Sequence, residues 1–318
     1  MEWRQLKKIF AFYGRFTFSY TQIGFAARSV LWSRRKPDFS GQRWLVTGAS
    51  GGLGRAIALS AVRGGAAVTA VARSAEKLAA LASEAGSRLT PLRCDLALQR
   101  DTARLLTTLR QKSDPIDVLV NNVGVLLDDF TTTDEGRETS FATNLLTHFQ
   151  LTEGLIASGL IGDGGLVINM SSGGMYNVPL SVKRLNATNA GAYSGVAAYG
   201  FHKRAQVVLT SYWRRKFASR GISFYVMHPG WSDTEGVKRS MPRFRRILRS
   251  ILRDEWSGSD TAIWLAASRP LQAADEAIWF DRKPRGVHVY EHTRHSNDTA
   301  ETLVSYLNQE LARFREAA

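Results

Sequence analysis

The residues best suited to chemistry are a tyrosine and a lysine one helical turn apart. Tyr199-Gly200-Phe201-His202-Lys203 lies in a stretch with helical patterning, and residues i and i+4 share a helix face. A phenol titrates near pH ~10 in water, and a neighbouring ammonium favours its ionised form. The spacing therefore predicts that Lys203 lowers the Tyr199 pKa and that the phenol exchanges a proton with an oxygen of a bound molecule. The same spacing recurs at Tyr212-Trp213-Arg214-Arg215-Lys216, but deeper in the same predicted helix, past the end expected to face the site. Ser171-Ser172, after the apolar run Leu166–Met170, offers a further hydroxyl; capping of the strand end is the alternative for both serines.

A glycine-rich turn supplies the second station. Thr47-Gly48-Ala49-Ser50-Gly51-Gly52-Leu53-Gly54 follows the apolar Trp44-Leu45-Val46 and precedes a helical Arg55-Ala56-Ile57-Ala58-Leu59. Gly48 permits a tight turn, Gly52 lets the backbone approach a pyrophosphate, and Gly54 lets the helix pack closely, with the helix N-terminus facing the phosphates. The next apolar run, Ala67–Ala72, ends in Ala72-Arg73-Ser74 with no acid before Glu76. An acid there would bond a ribose hydroxyl and repel a 2′-phosphate, whereas an arginine attracts it. NADP(H) is favoured on Arg73, and NAD(H) stays open because Arg73 also fits as the solvated start of a helix. A nicotinamide brings the hydride, so the protein has to place an acid and stabilise charge.

The Thr-Gly-x-x-x-Gly-x-Gly turn with the Tyr-x-x-x-Lys pair resembles the short-chain dehydrogenase/reductase family. Further stations match. Cys94-Asp95-Leu96 is similar to the family's pair at the adenine, Asn121-Asn122-Val123-Gly124 to its Asn-Asn-Ala-Gly turn with valine for alanine, and Pro229-Gly230 with Thr234 to the segment over the nicotinamide. The resemblance implies that Thr47, Gly48, Ser50, Gly52, Leu53, Gly54, Arg73, Asp95, Leu96, Asn121, Val123, Gly124, Pro229, Gly230 and Thr234 contact the cofactor, along with Tyr199 and Lys203. It implies four catalytic residues: Tyr199 as proton donor and acceptor, Lys203, Ser172 as the second of its pair, and Asn144 in Phe141-Ala142-Thr143-Asn144-Leu145, which helps hold a proton-relay water. The implied activity interconverts a carbonyl and an alcohol. The connection from Ser172 to Tyr199 is longer than is common in the family and is similar to the retinol-dehydrogenase-like branch, which implies a small lipophilic substrate. Ser171-Ser172-Gly173-Gly174-Met175, Met227-His228-Pro229-Gly230-Trp231, Met241-Pro242 and Asp281-Arg282-Lys283-Pro284 resemble one subgroup over almost the whole chain. The rival reading is a non-catalytic scaffold that senses NADP(H) at a membrane surface; the presence of all four catalytic residue types speaks against it.

These stations need a frame. Apolar runs at Trp44–Val46, Ala67–Ala72, Leu89–Arg93, Ile116–Val120, Leu166–Asn169 and Ile222–Met227 alternate with helical stretches at 74–85, 97–112, 134–160 and 197–219. The third stretch has Thr133 or Asp134 as its expected N-cap. Near-continuous apolar strands separated by helices predict an α/β fold: one doubly wound Rossmann domain, with a mainly parallel sheet and helices on both faces. That domain is expected over residues 41–318, after a basic aromatic arm at 1–40. A last helix is expected over Asp298–Phe314, with Leu303, Leu307, Leu311 and Phe314 on the face that packs against the domain or a second subunit. A homo-oligomer stays open.

Composition narrows the classes. The 318 residues are 44% hydrophobic and 22% charged, as in soluble globular proteins, which excludes disorder. No run of apolar residues reaches membrane-spanning length, and no cleavable signal pattern opens the chain, so a cytoplasmic location is expected. One cysteine, Cys94, excludes a disulfide framework, and no spacing joins His148, His202 or His228 to carboxylates, so no metal is expected. The net charge of +14 is concentrated: residues 201–253 carry 13 basic and 2 acidic side chains. Arg239–Asp254 reads as one amphipathic helix, with Phe244, Ile247, Leu248, Ile251 and Leu252 opposite Arg245, Arg246, Arg249 and Arg253. The arm interleaves Phe10, Phe12, Tyr13, Phe16, Phe18 and Tyr20 with Lys7, Lys8 and Arg15. Both pieces predict peripheral contact with an anionic membrane surface, through which a lipophilic substrate would enter. The alternative is that they pack on the sheet with solvated arginines. Nucleic acid is not an expected partner, because no nucleic-acid motif accompanies the charge.

Overall fold

Branched apolar residues in short runs form strands that are buried on both faces; five such runs make the centre of this protein, and a sixth, Leu89–Arg93, forms a mostly exposed edge. The computed structural model describes residues 16–33, 36–240, 242–271 and 276–317. The strands are β1 (Arg43–Thr47), β2 (Ala67–Ala72), β3 (Leu89–Arg93), β4 (Val118–Asn121), β5 (Leu166–Met170), β6 (Ser223–Met227), β7 (Ile278–Phe280) and β8 (Lys283–Arg285), in one sheet of order β3-β2-β1-β4-β5-β6-β7-β8. All neighbours are parallel except β7 and β8. The strand order reverses between β1 and β4, and a crevice beyond the carboxyl ends of the strands at such a switch point is where this architecture binds ligands. The expected doubly wound Rossmann domain is present.

Helices cover both faces. They are α1 (Gln22–Ser29), α2 (Gly52–Arg63), α3 (Ala75–Ala85), α4 (Gln99–Lys112), α5 (Thr147–Ala157), α6 (Gly195–Lys216), α7 (Glu235–Ser240), α8 (Pro242–Leu248), α9 (Glu255–Ser268) and α10 (Ala300–Ala317). One core layer packs Leu105, Phe149, Leu209 and Trp213 from α4, α5 and α6 against Leu45 and Val167. The other packs Ile57, Leu81 and Leu265 from α2, α3 and α9 against Val46 and Ile168. Leu303 and Leu307 of α10 are fully buried in the first layer, so that helix packs against the domain; the Phe314 side chain lies outside the described residues.

Three expectations need correction, and one feature is new. The stretch 134–160 becomes helical only at Thr139, because Thr132 bridges Glu138 as a strand pair. Neither Thr133 nor Asp134 caps it; the Glu138 carboxylate accepts from Ser140 N at 2.6 Å and Phe141 N at 2.7 Å. A π-helical turn, Ala142–Leu146, then leads into α5. The stretch 239–254 is not one amphipathic helix. It comprises the end of α7, then α8, then a turn that ends in an isolated bridge from Arg253 to Ser232, and Arg253 is buried rather than solvated. The hairpin β7–β8 was not anticipated: Asp281 and Arg282 both have positive φ (48° and 59°), as a two-residue hairpin turn requires, without the usual asparagine or glycine.

Residues 1–15, with Phe10, Phe12, Tyr13, Lys7, Lys8 and Arg15, lie outside the described residues, as does Met241. The part of the arm that is described does not stand apart. Tyr20 is buried against His228 and Phe280, and its carbonyl accepts from Trp231 N at 2.8 Å. Gln22 N donates to Ile251 O at 2.8 Å. Arg28 and Arg253 both clasp the Asp281 carboxylate.

Candidate active site

The β1–α2 turn forms an open cradle. Gly48 and Gly52 adopt positive φ (64° and 50°), and a side chain on Gly51 or Gly52 would meet nothing within 4 Å, so backbone faces free space there. At Gly54 a Cβ would come 2.3 Å from the Gly48 carbonyl, which is why only glycine lets α2 seat so near the turn. Thr47 Oγ1 donates to Val120 O at 3.2 Å and accepts from Asn122 N and Val123 N, lashing β1 to the turn after β4. Ser50 and Leu53 are half-buried on the cradle's rim. Bare glycine backbone at a helix N-terminus fits a pyrophosphate.

The rest of the predicted cofactor set follows the carboxyl edge of the sheet. The Arg73 side chain is 79% exposed, 3.8 Å from the Asp95 carboxylate, and so available to an anion. Leu96 is buried beside Asp95. Asn121 donates its amide to Thr152 Oγ1 and Asn169 Oδ1, both at 2.9 Å; its side chain is turned into the sheet, leaving the main chain to face a ligand. Val123 packs against Gly48, and a Cβ on Gly124 would lie 3.3 Å from Asn144 Oδ1 and 3.5 Å from Lys203 Nζ. Gly230 has φ +78°, with its N–H donating to His228 Nδ1 at 3.0 Å. Thr234 Oγ1 accepts from Val237 N, holding the start of α7.

The four candidate catalytic residues converge from three elements: α6, the turn after β5 and the π-helical turn. Tyr199 and Lys203 stand on α6, with Nζ 5.4 Å from the Tyr199 ring centroid. The two serines divide: Ser171 Oγ donates to Lys203 O at 3.0 Å and is locked onto α6, whereas Ser172 Oγ caps the turn after β5, accepting from Gly174 N at 3.4 Å, and lies close enough to Tyr199 to act on its pKa. Asn144, fully buried in the π-helical turn, donates to Val125 O at 2.8 Å and accepts from Val125 N at 2.7 Å. Such turns widen a helix locally and recur at functional sites.

The electrostatics reverse one expectation. Burial pushes the Tyr199 phenol up to about 12, and only the neighbouring Ser172 hydroxyl pulls the other way. Lys203 does not depress it, because burial drives the amine itself down to about 7. Its Nζ donates instead to Met170 O at 2.7 Å and Gln206 Oε1 at 3.2 Å.

Three residues behind the pair were not singled out as site residues. His202 Nε2 bonds Leu185 O at 2.7 Å, which makes Nδ1 the acceptor facing Asn144 Nδ2 at 3.4 Å. His148 Nε2 bonds Val123 O at 2.9 Å, and its Nδ1 accepts from Gln206 Nε2 at 2.8 Å. Burial holds both rings neutral, at about 3 for His148 and about 4 for His202. The available signal was position: Gln206 is three residues beyond Lys203 on the same helix. Among the described residues no cluster of His, Cys, Asp and Glu could hold a metal.

Comparison with known proteins decides the family. The family model described as short chain dehydrogenase matches residues 42–243, most of the sheet and both halves of the site. The chain belongs to the short-chain dehydrogenase/reductase family. Dehydrogenase/reductase SDR family member 12 of Bos taurus is 33% identical over 309 residues, covering 93% of this chain and 95% of that protein. Retinol dehydrogenase 12 of Bos taurus is 27% identical, covering 81% of this chain and 83% of its own length. In structure, a short chain dehydrogenase of Burkholderia cenocepacia J2315 in complex with NADP superposes with a TM-score of 0.59 at 22% identity, over 72% of this chain and 91% of that one. Membership of the short-chain dehydrogenase/reductase family carries a general oxidoreductase activity and an NAD(P)(H)-binding Rossmann domain. Among the described residues no helix is long and apolar enough to cross a membrane.

Proposed function

We propose that the protein is an NADP(H)-dependent oxidoreductase that interconverts a carbonyl and an alcohol on a lipophilic substrate, with Tyr199 as the proton donor and acceptor. The observation that carries this reading is the placing of the Lys203 amine 5.4 Å from the Tyr199 ring, with the bare Gly124 backbone beside that amine and the Ser172 hydroxyl near enough to the phenol to pull its pKa down. The nicotinamide supplies or removes the hydride. Ser172 orients the substrate oxygen, and the Tyr199 O–H delivers a proton to the oxygen that gains charge. A phenol held at about 12 is protonated at neutral pH, which suits the reductive direction; the oxidative direction needs the phenolate and gains from alkali. Asn144 holds the Val125 backbone on the floor of the site.

Arg73, exposed at the end of β2 with no acid on that turn, supports NADP(H) over NAD(H). A lipophilic substrate is supported by the likeness to retinol dehydrogenase 12. Contact with an anionic membrane is supported by the far edge of the sheet. Phe18 (63% exposed), Leu31 (88%) and Ile247 (78%) expose apolar surface on segments joined through Gln22 and Ile251, beside a concavity lined by Lys238, Arg245, Arg246 and Arg249.

The test is cofactor oxidation with retinoid, steroid and fatty aldehyde or ketone substrates, with and without anionic vesicles. NADPH turnover that Arg73→Ala weakens at least ~10-fold more than NADH turnover supports the reading. Equal weakening of both removes the argument for NADP(H), and turnover with neither cofactor favours a sensing scaffold.

A further inference from the structure

One buried amide links the candidate acid–base pair to the protein behind it. Gln206 is 2% exposed and sits on α6 just past Lys203. Its Oε1 accepts from Lys203 Nζ at 3.2 Å, and its Nε2 donates to Asn144 O at 2.7 Å and to His148 Nδ1 at 2.8 Å. The chemistry of the partners fixes this orientation. An ammonium only donates, a main-chain carbonyl only accepts, and His148 spends its N–H on Val123 O, leaving Nδ1 to accept. Both amide hydrogens are therefore used, and the amide cannot flip without opposing like groups.

We propose that Gln206 is a positioning residue: it fixes Lys203 Nζ behind Tyr199 and ties it to Asn144 and His148. This rests on the acid–base reading of Tyr199 and Lys203 above. A neutral amide supplies an acceptor without a counter-charge. The groups facing Nζ are Tyr199 and His202 on its own helix, His148 on α5, the Met170 carbonyl at the end of β5 and the Gly124 backbone; none is a carboxylate. The amine is thus held by dipoles alone, and burial is left to set its protonation near neutral pH.

The experiment is titration of Lys203 in the full chain without cofactor, followed by NMR of lysine labelled at Nζ and assigned with Lys203→Arg, in wild type, Gln206→Met and Gln206→Glu. Gln206→Met removes the acceptor and should lower the Lys203 pKa by about one pH unit. Gln206→Glu brings a carboxylate to the same place and should raise it by about one to three pH units. The pH profile of kcat/KM should move in the same directions. A purely structural role would shift the melting temperature of both variants but could not move the amine oppositely in the two, and either variant decides if the other fails to fold. Unchanged titration in a folded variant overturns the proposal. Shifted titration together with full turnover by Tyr199→Phe leaves the placement of Gln206 standing and overturns the catalytic reading instead.

Discussion

Asp281→Asn should destabilise the protein well beyond an ordinary surface substitution. Asp281 and Arg253 have side chains only 1% exposed and pair in a two-pronged bond, Nη1 to Oδ1 at 2.7 Å and Nη2 to Oδ2 at 2.9 Å. Arg28 Nε donates to the same Oδ2 at 2.7 Å. One carboxylate thus balances two guanidinium groups, and both arginines also donate to the Ser19 carbonyl. Asparagine tolerates the positive φ of 48°, so the substitution removes charge without straining the turn. Leaving a buried charge without its partner costs about 3–5 kcal/mol. With ~2.1 cal/mol/K of unfolding entropy per residue, a chain of 318 residues loses about 1.5 °C per kcal/mol, which gives a fall in Tm of about 4–8 °C. Scanning calorimetry reads this directly. The Arg253 guanidinium also lies under Gly230, where a Cβ would come 2.5 Å from Nε, so the affinity for cofactor should fall at temperatures where the fold is intact. A Tm within ~1 °C of wild type would refute this reasoning, because it would mean that the buried carboxylate balances nothing.

Two further outcomes follow from the site. Burial holds His148 and His228 at about 3 and His202 at about 4, all below the ordinary imidazole value, so from pH ~6.5 downward the unfolded chain binds protons that the folded chain refuses. Stability should therefore fall on acidification from pH ~6.5 toward 4, by up to about 1.4 kcal/mol per pH unit for each ring; urea midpoints that stay flat over that range would contradict it. The two serines should separate. Ser172→Ala should lower kcat by ~10-fold or more with little change in Tm. Ser171→Ala should cost about 1 kcal/mol of stability through the lost bond to Lys203 O, with the chemical step preserved; steady-state kinetics beside thermal melts distinguishes the pattern from its reverse.

What was legible in the sequence was what is local in it. The strands β1, β2, β4, β5 and β6 announce themselves as short apolar runs because both faces of a parallel sheet are covered there, whereas β3 lies at the mostly exposed edge. The glycine turn, the serine pair and the Tyr199–Lys203 spacing each fit within one turn or one loop. Contacts made across the chain were not legible. Arg253 looks like one more solvated arginine until the hairpin brings Asp281 to it, and Arg28 meets that carboxylate from the other end of the chain. The hairpin itself hides because its turn carries two charged residues where glycine or asparagine would have marked it. The direction of the Tyr199 shift was missed for a related reason: spacing places a cation nearby but says nothing of how deeply both groups are buried. Gln206 shares the Lys203 face, yet a glutamine on a helix carries no chemical flag until its partners are seen.

Single-turnover reduction of a lipophilic carbonyl by Tyr199→Phe, with NADPH affinity measured on the same sample by cofactor fluorescence, tests the acid role of the phenol most directly. The account predicts a rate down by about 10²–10⁴-fold with NADPH affinity within a few-fold of wild type. A phenylalanine variant that reduces the substrate at the wild-type rate would contradict it.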